Sequence, residues 1–271
     1  MATLSPWRRF RRAVRQLLGR LGLLGPIYRA AERRISSGAD EPWPDTVEGL
    51  PTPPPHLIAV VAGHASLASY LAQGADLARF IAATAQAHGS PVGAPGTVLD
   101  FGCGCGRVAR RLAPQVIDAG GRFIGVDINR DLVRWSAASL PGEYRLNRLK
   151  PPVPIEAASV RLLYAVSVFT HLPRASMDAW LADYVRILAP GGLALVSFAA
   201  DDRAPPALGD AARREGFAAS TTALEGSNYM ASYATKEAFA ALCAGHLEVL
   251  EIIPSVCAGG TLDWAVLRRP A

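Results

Sequence analysis

The chain has 271 residues, half of them hydrophobic, which allows one large folded domain or one domain with an extension. Its formal net charge is +5, but residues 1–36 contain nine Arg and one Glu, so the remainder is slightly acidic. Because the positive charge is confined to one end, we do not expect the main body to bind nucleic acid.

The four cysteines do not resemble a disulfide framework. Cys103 and Cys105 lie in a glycine-rich stretch, and Cys243 and Cys257 stand alone, so we expect reduced thiols in a cytoplasmic protein. Two thiols without a second pair do not complete a zinc site, and no metal is expected. No apolar stretch reaches the roughly 18 residues of a membrane span, and arginines interrupt the start too often for a secretory signal.

Residues 1–40 form a basic arm with an amphipathic pattern over residues 7–24. On a helix, its arginines would lie mostly on faces other than the one that carries its apolar residues. Three interpretations stay open: a helix resting on an anionic membrane, a helix packed on the domain or on a second subunit, and a targeting peptide. The apolar residues that recur at helical spacing are Trp7, Phe10, Val14, Leu17, Leu18, Leu21 and Leu24.

Residues 41–55 contain six prolines and predict an extended linker or a surface wrap. Residues 56–88 are predicted to be helical, with a break at Gly74 and with Asp76 capping the second helix.

From residue 96 onward, predicted strands and helices alternate, which indicates an α/β fold with a mostly parallel sheet. No helix separates the last two strands, so they are expected to form an antiparallel hairpin. Thr235 and either Asn129 or Asp131 are the predicted helix caps. The strands are predicted near 96–101, 122–127, 144–148, 161–166, 193–198, 247–253 and 262–267, and the helices near 106–113, 130–139, 173–188 and 235–244.

The first of these strands runs into a glycine-rich turn and then a helix, over Val98–Arg107. The second, Ile124–Asp127, ends on a carboxylate. Glycines permit close approach of the backbone to a ligand, and an acid at the end of the neighbouring strand can accept hydrogen bonds from ribose hydroxyls. The pair of motifs therefore predicts a nucleoside ligand.

The spacing of the glycines narrows the choice of nucleoside. The dinucleotide fingerprint fails because Arg107 occupies the place of its third glycine. A phosphate-binding Gly-Lys-Ser/Thr loop is also absent. Instead, glycines at 102, 104 and 106 follow Asp100, and this stretch resembles motif I of the class I S-adenosylmethionine-dependent methyltransferases.

The resemblance extends over about residues 96–200. Asn147–Pro154 and Leu163–Leu172 look like the third and fourth strand regions of that family, and Ile187–Leu195 looks like its helix-to-strand turn. A weaker similarity follows at Leu262–Pro270. The chain departs from the family at Arg161, near a position where many relatives carry Asp.

The resemblance implies a Rossmann-like, doubly wound fold with seven strands, of which the last is antiparallel. It also implies that residues 56–271 form the methyltransferase domain and that S-adenosylmethionine is the cofactor. We interpret residues 200–234 as an insertion over the acceptor pocket, with an ordinary surface loop as the alternative. The residues implied to bind the cofactor are Asp100, Phe101, Gly102, Cys103, Gly104, Gly106, Asp127, Ile128, Asn147, Val166 and Ser167.

We expect the acceptor to be a small molecule, namely a hydroxyl of a sugar, glycolipid or secondary metabolite. His171 is either the general base for that hydroxyl or a structural hydrogen-bonding group at a helix start. Tyr229 and Tyr233 are candidates for shaping the acceptor pocket, and Trp135 lies either near adenine or in the core.

Two other functions remain open from the sequence. One is an NAD-dependent oxidoreductase, disfavoured by the missing third glycine and by the lack of a Tyr-x-x-x-Lys pair. The other is a non-catalytic, membrane-associated module that binds the cofactor, favoured by the basic arm and by Arg161. The sequence identifies neither the acceptor nor the oligomeric state.

Overall fold

The computed structural model describes residues 43–222, 224–255 and 262–271. The basic arm and Cys257 lie outside the described residues. The described strands are β1 (Thr46–Val47), β2 (Leu50–Pro51), β3 (Thr97–Phe101), β4 (Arg122–Asp127), β5 (Glu143–Leu146), β6 (Val160–Ala165), β7 (Leu188–Phe198), β8 (Phe217–Ala219), β9 (Ser232–Ala234), β10 (Glu248–Ile253) and β11 (Asp263–Arg268).

The described α-helices are α1 (Pro55–Ala62), α2 (Leu67–Ala87), α3 (Ala109–Asp118), α4 (Arg130–Ser139), α5 (Arg174–Ile187), α6 (Pro206–Glu215) and α7 (Lys236–Ala244). Short 3₁₀ turns cover Phe169–His171 and Asp201–Arg203. Asn129 caps α4 and Thr235 caps α7 through their side-chain oxygens, as predicted.

A seven-stranded sheet with the order β10-β11-β7-β6-β3-β4-β5 forms the centre of the fold. Its five strands from β7 to β5 are parallel to their neighbours, whereas β11 is antiparallel to both β7 and β10. This confirms the predicted doubly wound sheet with an antiparallel last strand. β7 begins at Leu188, earlier than predicted, because Leu188 already pairs with Val160.

The sheet is buried on both faces because its side chains alternate between two clusters. Leu99, Phe101 and their neighbours pack against α5 and α7 on one face. Val98, Leu162 and their neighbours pack against α2 and α3 on the other. Both faces are apolar, so every central strand is a nearly continuous hydrophobic run.

Helix α2 passes through Gly74 without a break, so the predicted break is wrong. The break lies between α1 and α2, where Gly63 ends α1 with a φ of 74° and Ser66 caps α2 by accepting a hydrogen bond from Ser69 N at 3.3 Å. Asp76 forms an ion pair with Arg79 instead of capping a helix. Gly74 is required by packing, because a Cβ there would collide with the backbone carbonyl of Arg107.

The described part of the proline-rich segment lies against α3, which fits the expected surface wrap. Glu48 forms an ion pair with Arg111 at 2.7 Å, and Arg110 donates to the carbonyl of Val47 at 2.9 Å. The two-residue strands β1 and β2 within it were not predicted.

Residues 200–234 are more regular than expected. They contain α6 and the antiparallel pair β8–β9. Pro206 in the first turn and the left-handed Gly216 after the last turn are ordinary helix boundaries, so the sequence carried a signal for this helix.

Arg161 has a structural role, which accounts for an arginine near the position where many members of the resembled family carry Asp. Its guanidinium donates to Ser90 Oγ at 2.9 Å and to the carbonyl of Ala94 at 3.0 Å. It thereby fixes the loop that leads into β3, at the end of the sheet opposite the carboxyl edge.

Within the described ranges, no single helix has both the length and the apolar character to span a membrane. Only α1 and α2 taken together pass that test by length and composition, and they are bent by 51°.

Candidate functional site

A cavity of about 560 Å³ opens at the carboxyl ends of β3, β4 and β6. This is the edge where ligands bind in doubly wound sheets. Its floor is the glycine-rich loop after β3. Helix α1 and the segment 224–229 complete its walls, through residues that include Val60, Val61, Leu224 and Asn228.

The glycine-rich loop is fixed by hydrogen bonds from three neighbouring elements. Tyr70 of α2 donates its hydroxyl to the carbonyl of Cys105 at 2.9 Å. Ser136 of α4 donates to the carbonyl of Gly104 at 3.2 Å. Asp127, at the end of β4, accepts from Gly104 N at 2.9 Å. The loop is therefore held in one conformation before any ligand arrives.

Two of its glycines line the cavity with left-handed backbones. Gly102 has a φ of 85° and Gly104 a φ of 56°. A Cβ at Gly104 would lie 2.8 Å from Val61 of α1, so bare backbone is needed where this helix covers the loop. Gly106 does not line the cavity, contrary to expectation. It is required because a Cβ there would collide with Leu140.

Asp127 is positioned by backbone amides on both of its carboxylate oxygens. Oδ2 accepts from Gly104 N at 2.9 Å and Oδ1 accepts from Asn129 N at 2.8 Å. Burial raises the pKa of this carboxyl, and these hydrogen bonds partly offset the shift. The backbone amide of Ile128 also interacts with this carboxylate. A carboxylate offers about four lone pairs, so it can still accept from a ligand hydroxyl.

Asp100 lies in the cavity wall and is 2% exposed. Burial raises the pKa of its carboxyl to about 7, although the neighbouring Tyr164 hydroxyl partly offsets this shift. A cationic ligand group beside Asp100 would restore the ionised carboxylate, because an opposite charge favours the charged form.

Asn147 presents a buried acceptor without a partner. It follows β5, its backbone N donates to the carbonyl of Asp127 at 2.8 Å, and the residue is 7% exposed. Its Oδ1 has no hydrogen-bond partner among the described residues. A buried acceptor of this kind is costly unless a ligand donor satisfies it.

The end of β6 supplies the opposite wall of the cavity. Ser167 has a φ of 59°, which is uncommon for a residue with a Cβ. Its backbone N donates to Ser197 Oγ at 2.7 Å, and that hydroxyl donates to the carbonyl of Ala165 at 3.3 Å. This bridge holds the turn through Val166 and Ser167 against β7.

His171 also lines the cavity, at the end of the 3₁₀ turn after β6. Its Nδ1 lies 2.6 Å from the carbonyl of Met230. A carbonyl only accepts, so Nδ1 carries the proton and Nε2 keeps a lone pair. Burial lowers the pKa of the imidazole, and the neutral ring predominates at neutral pH.

The segment 224–229 is tied to both sides of the cavity. Gly226 N donates to the carbonyl of His171 at 2.8 Å. Asn228 donates its side-chain amide to the carbonyl of Val60 in α1. Lys150 pairs with Glu225 at 2.7 Å. Part of the segment 200–234 thus lies over the cavity.

Eleven of the predicted site residues line this one cavity, and their roles in binding stay predictions. Tyr229 lines it too, whereas Tyr233 does not, and Trp135 packs with the core around α1. Sequence reasoning missed Val60, Val61 and Arg107, whose apolar or basic character gave no sign of a ligand. Within the described ranges, no group of three or more His, Cys, Asp or Glu is placed to hold a metal ion.

Comparison with known proteins decides between the ligands that this geometry allows. Residues 98–192 match the family model described as "Methyltransferase domain". The match begins at the strand before the glycine-rich loop and includes Asp127, Asn147 and His171. Residues 98–192 therefore form a methyltransferase domain, similar to the domains of S-adenosylmethionine-dependent methyltransferases. The family match gives no support to the alternative of a nicotinamide-dependent oxidoreductase.

Solved structures share the fold of this methyltransferase at low sequence identity. A putative S-adenosylmethionine-dependent methyltransferase from Listeria monocytogenes aligns with a TM-score of 0.56 and 14% identity, over 74% of this chain and 99% of its own. A putative methyltransferase from Haloferax volcanii, in complex with the Trm112 activator, has a TM-score of 0.51 and 17% identity, over 75% and 97%.

A third similar structure is the 1,6-didemethyltoxoflavin-N1-methyltransferase of Burkholderia thailandensis, solved with 1,6-didemethyltoxoflavin and S-adenosylhomocysteine bound. It has a TM-score of 0.52 and 16% identity, over 79% of this chain and 84% of its own. At these identities the three structures establish the fold alone.

The residues of this methyltransferase fit S-adenosylmethionine on two observations. Asp127 lines the cavity with a carboxylate that can accept from a ribose hydroxyl, and Asn147 keeps an orphaned buried acceptor that suits the adenine amine. Gly102 and Gly104 both line the cavity, so the amino-acid end can lie against their backbone. When bound, the cofactor supplies an electrophilic methyl group on a positively charged sulfur.

Proposed function

We propose that this methyltransferase methylates a hydroxyl group of a small-molecule acceptor, such as a sugar, glycolipid or secondary metabolite, by in-line displacement. The observation that carries the proposal is the state of His171. The Met230 carbonyl fixes its Nδ1–H tautomer, so the neutral ring offers a basic Nε2 within the cavity wall.

A hydroxyl acceptor needs a base more than most acceptors do, because it must lose its proton as its oxygen forms the new bond. In this proposal His171 Nε2 accepts that proton while the hydroxyl oxygen bonds to the methyl carbon and the carbon–sulfur bond breaks. The products are a methyl ether and S-adenosylhomocysteine, and the proton leaves the imidazolium for solvent. General-base catalysis of this kind contributes about 10²–10⁴-fold.

The enclosure of the cavity supports a small acceptor. The volume of about 560 Å³ lies within the range of small-molecule pockets, and α1 and the segment 224–229 are joined across it by Asn228 and Val60. Positioning two reactants in such an enclosure can supply about 7–11 kcal/mol of the barrier.

We further propose that the enzyme works in the cytoplasm and contacts anionic membranes through residues 7–24. The pattern of arginines and apolar residues in the arm supports this contact. The free, buried state of Cys103, Cys105 and Cys243 supports a reducing compartment. A membrane surface would bring the enzyme close to a glycolipid acceptor.

His171→Gln tests the proposed base, with transfer of labelled methyl from the cofactor into fractionated metabolite extracts as the assay. We expect a loss of about 10²-fold or more in turnover, with S-adenosylhomocysteine affinity by calorimetry unchanged. Because burial lowers the pKa of His171, the acidic limb of the wild-type rate profile should have its midpoint below the ordinary histidine value of about 6.5.

His246→Gln is the matched control, since His246 pairs with Asp178 at 2.8 Å on α5, outside the residues that line the cavity. It should leave turnover unchanged. Wild-type turnover in His171→Gln, or an acidic limb that persists in that variant, would remove His171 from the mechanism.

A further inference from the structure

The turn over residues 226–230 contacts both the backbone and the ring of His171. Gly226 N donates to the carbonyl of His171 at 2.8 Å, and the carbonyl of Met230 lies 2.6 Å from its Nδ1. Met230 is fully buried, and its own N donates to the carbonyl of Ser227 at 3.0 Å. The acceptor that fixes the tautomer of His171 is therefore continuous with the segment that covers the cavity.

The tautomer of His171 depends on the position of this turn. A neutral imidazole carries one proton, and the hydrogen bonds of the ring decide which nitrogen holds it. If the Met230 carbonyl moved away, His171 would lose the acceptor that keeps its proton on Nδ1. The Nε2–H form would then become populated, and this form offers no lone pair to the cavity.

A cluster of three side chains anchors the turn at its beginning. Lys150 Nζ donates to Glu225 Oε1 at 2.7 Å and to Ser176 Oγ at 2.5 Å. Ser176 Oγ in turn donates to the same oxygen of Glu225. Ser176 is 2% exposed, and the side chain of Glu225 is 15% exposed. The carboxylate is thus largely removed from solvent and is satisfied by a lysine and a serine.

Helix α5 makes this anchor rigid. An exposed ion pair alone would contribute little to stability, and the side chain of Lys150 is 57% exposed. Ser176, however, is buried in the first turn of α5, next to Met177 of the core. A buried hydroxyl that loses its acceptor is costly, so Ser176 favours the position in which Glu225 receives its hydrogen bond.

The same turn closes the cavity. Gly226 has a φ of 77°, and a Cβ there would lie 2.6 Å from Leu149 and 2.9 Å from Ile128. Asn228 donates its side-chain amide to the carbonyl of Val60 in α1. Between its anchor at Glu225 and its contact with the ring of His171, the turn therefore packs against the two walls of the cavity.

We propose that Glu225 is a positioning residue for His171, because its contacts with Lys150 and Ser176 hold the turn 226–230 over the cavity and keep the Met230 carbonyl on Nδ1. One closure then completes both the cavity wall and the base, and His171 accepts a proton only while the turn is closed. This inference rests on the proposed role of His171, but the state of its ring is measurable without turnover.

Long-range ¹H–¹⁵N spectra of the full chain, labelled on histidine and recorded without ligand at about pH 8, read the tautomer of the neutral ring. The signals missing from His171→Gln assign His171. Glu225→Ala should convert its Nδ1–H form into a mixture with the Nε2–H form, and turnover at saturating cofactor should fall about tenfold or more.

Two further variants separate the contact from the charge. Ser176→Ala removes the anchor on α5 and should change the His171 signals in the same direction as Glu225→Ala. Glu225→Gln keeps an oxygen that accepts from Ser176 and Lys150, so it should retain the wild-type tautomer and most of the turnover.

Glu251→Ala is the matched control. It breaks a comparable pair, because Glu251 lies 3.2 Å from His88, and neither residue lines the cavity. This variant should change the signals of His88 while the His171 signals and turnover stay as in the wild type.

An unchanged Nδ1–H form of His171 in both Glu225→Ala and Ser176→Ala would overturn the positioning role. Equal changes in the signals of His88, His171 and His246 would assign Glu225 a general structural role and would overturn it too. A mixed tautomer in Glu225→Ala, combined with wild-type turnover in His171→Gln, would support the positioning of the ring and refute the proposed base.

Discussion

At the residue scale, Asp100 illustrates how a binding residue weakens the protein that carries it. Its carboxyl is buried at the end of β3, so ionisation without a cationic ligand is unfavourable and the pKa rises to about 7. Its folded-state pKa lies above the unfolded one. The stability that Asp100 contributes is therefore complete below about pH 4 and is lost as the pH rises through about 7.

Asp100→Asn should remove this dependence on pH. Wild-type affinity for S-adenosylhomocysteine should increase by up to about tenfold from pH 6 to pH 8, because only the ionised carboxylate attracts the ligand ammonium. The variant should bind more weakly and with no such increase, yet its ligand-free form should lose less stability between pH 5 and pH 8. Calorimetry and thermal unfolding measure the two effects, and parallel pH profiles for both proteins would contradict the assignment.

At the element scale, α2 is shaped by what packs on it rather than by helix propensity. Gly74 is an unfavourable residue in the middle of a 21-residue helix. It is buried, and its missing Cβ makes room for the backbone of Arg107. The position thus couples the helix to the glycine-rich loop that forms the floor of the cavity.

Gly74→Ala should therefore destabilise the protein, although alanine favours helix formation by about 1 kcal/mol. The Cβ would meet a backbone carbonyl that cannot rotate away, and we expect a net loss of about 1–3 kcal/mol in the free energy of unfolding. Ala72→Gly on the exposed face of α2 is the comparison and should lose only about 1 kcal/mol of propensity. Denaturant unfolding measures both, and a stabilised Gly74→Ala would refute the packing argument.

At the scale of the whole molecule, charge is divided between the two parts of the chain. The first 36 residues are strongly basic and the rest is slightly acidic. An anionic surface would attract the arm and repel the body, which would orient the enzyme on a membrane. Each arginine near such a surface contributes about 1 kcal/mol.

A full-length variant with Arg8, Arg9, Arg12, Arg15 and Arg20 changed to Gln tests this orientation. The wild type should co-sediment with equimolar phosphatidylcholine–phosphatidylglycerol vesicles, and the variant should bind them at least about a hundredfold more weakly. The same five changes to Lys keep the charge and should keep the binding. Equal binding of the Gln variant would leave packing or targeting as the role of the arm.

Much of the fold was predictable because its signals are local. Each central strand is a short apolar run, Asn129 and Thr235 stand where caps belong, and the last strands follow each other without a helix. The predictions were wrong where the local propensity of a residue conflicts with the tertiary contacts that it makes. Gly74 signals a break by itself, and only its contact with Arg107 explains why the helix continues.

The candidate site was predictable to the extent that it lies on the strand ends. Asp100 and Asp127 lie at the carboxyl ends of β3 and β4. Asn147 directly follows β5, and His171 ends the turn after β6. Their convergence is a consequence of parallel pairing. The cover of the cavity was not predictable in detail. Val60 and Val61 are ordinary apolar residues until α1 packs over the loop.

The sequence alone determined that this protein places a glycine-rich turn and two carboxylates at one edge of a sheet. Each strand, and the turn or acid at its end, is specified by residues that are neighbours in the chain. The tertiary structure alone decided which His171 nitrogen is free and which glycines meet the cavity. It also decided that Arg107 forms no ion pair with any residue that the structure describes. Those properties depend on contacts between residues tens of positions apart, such as His171 with Met230. Local sequence patterns do not encode contacts between residues so far apart in the chain.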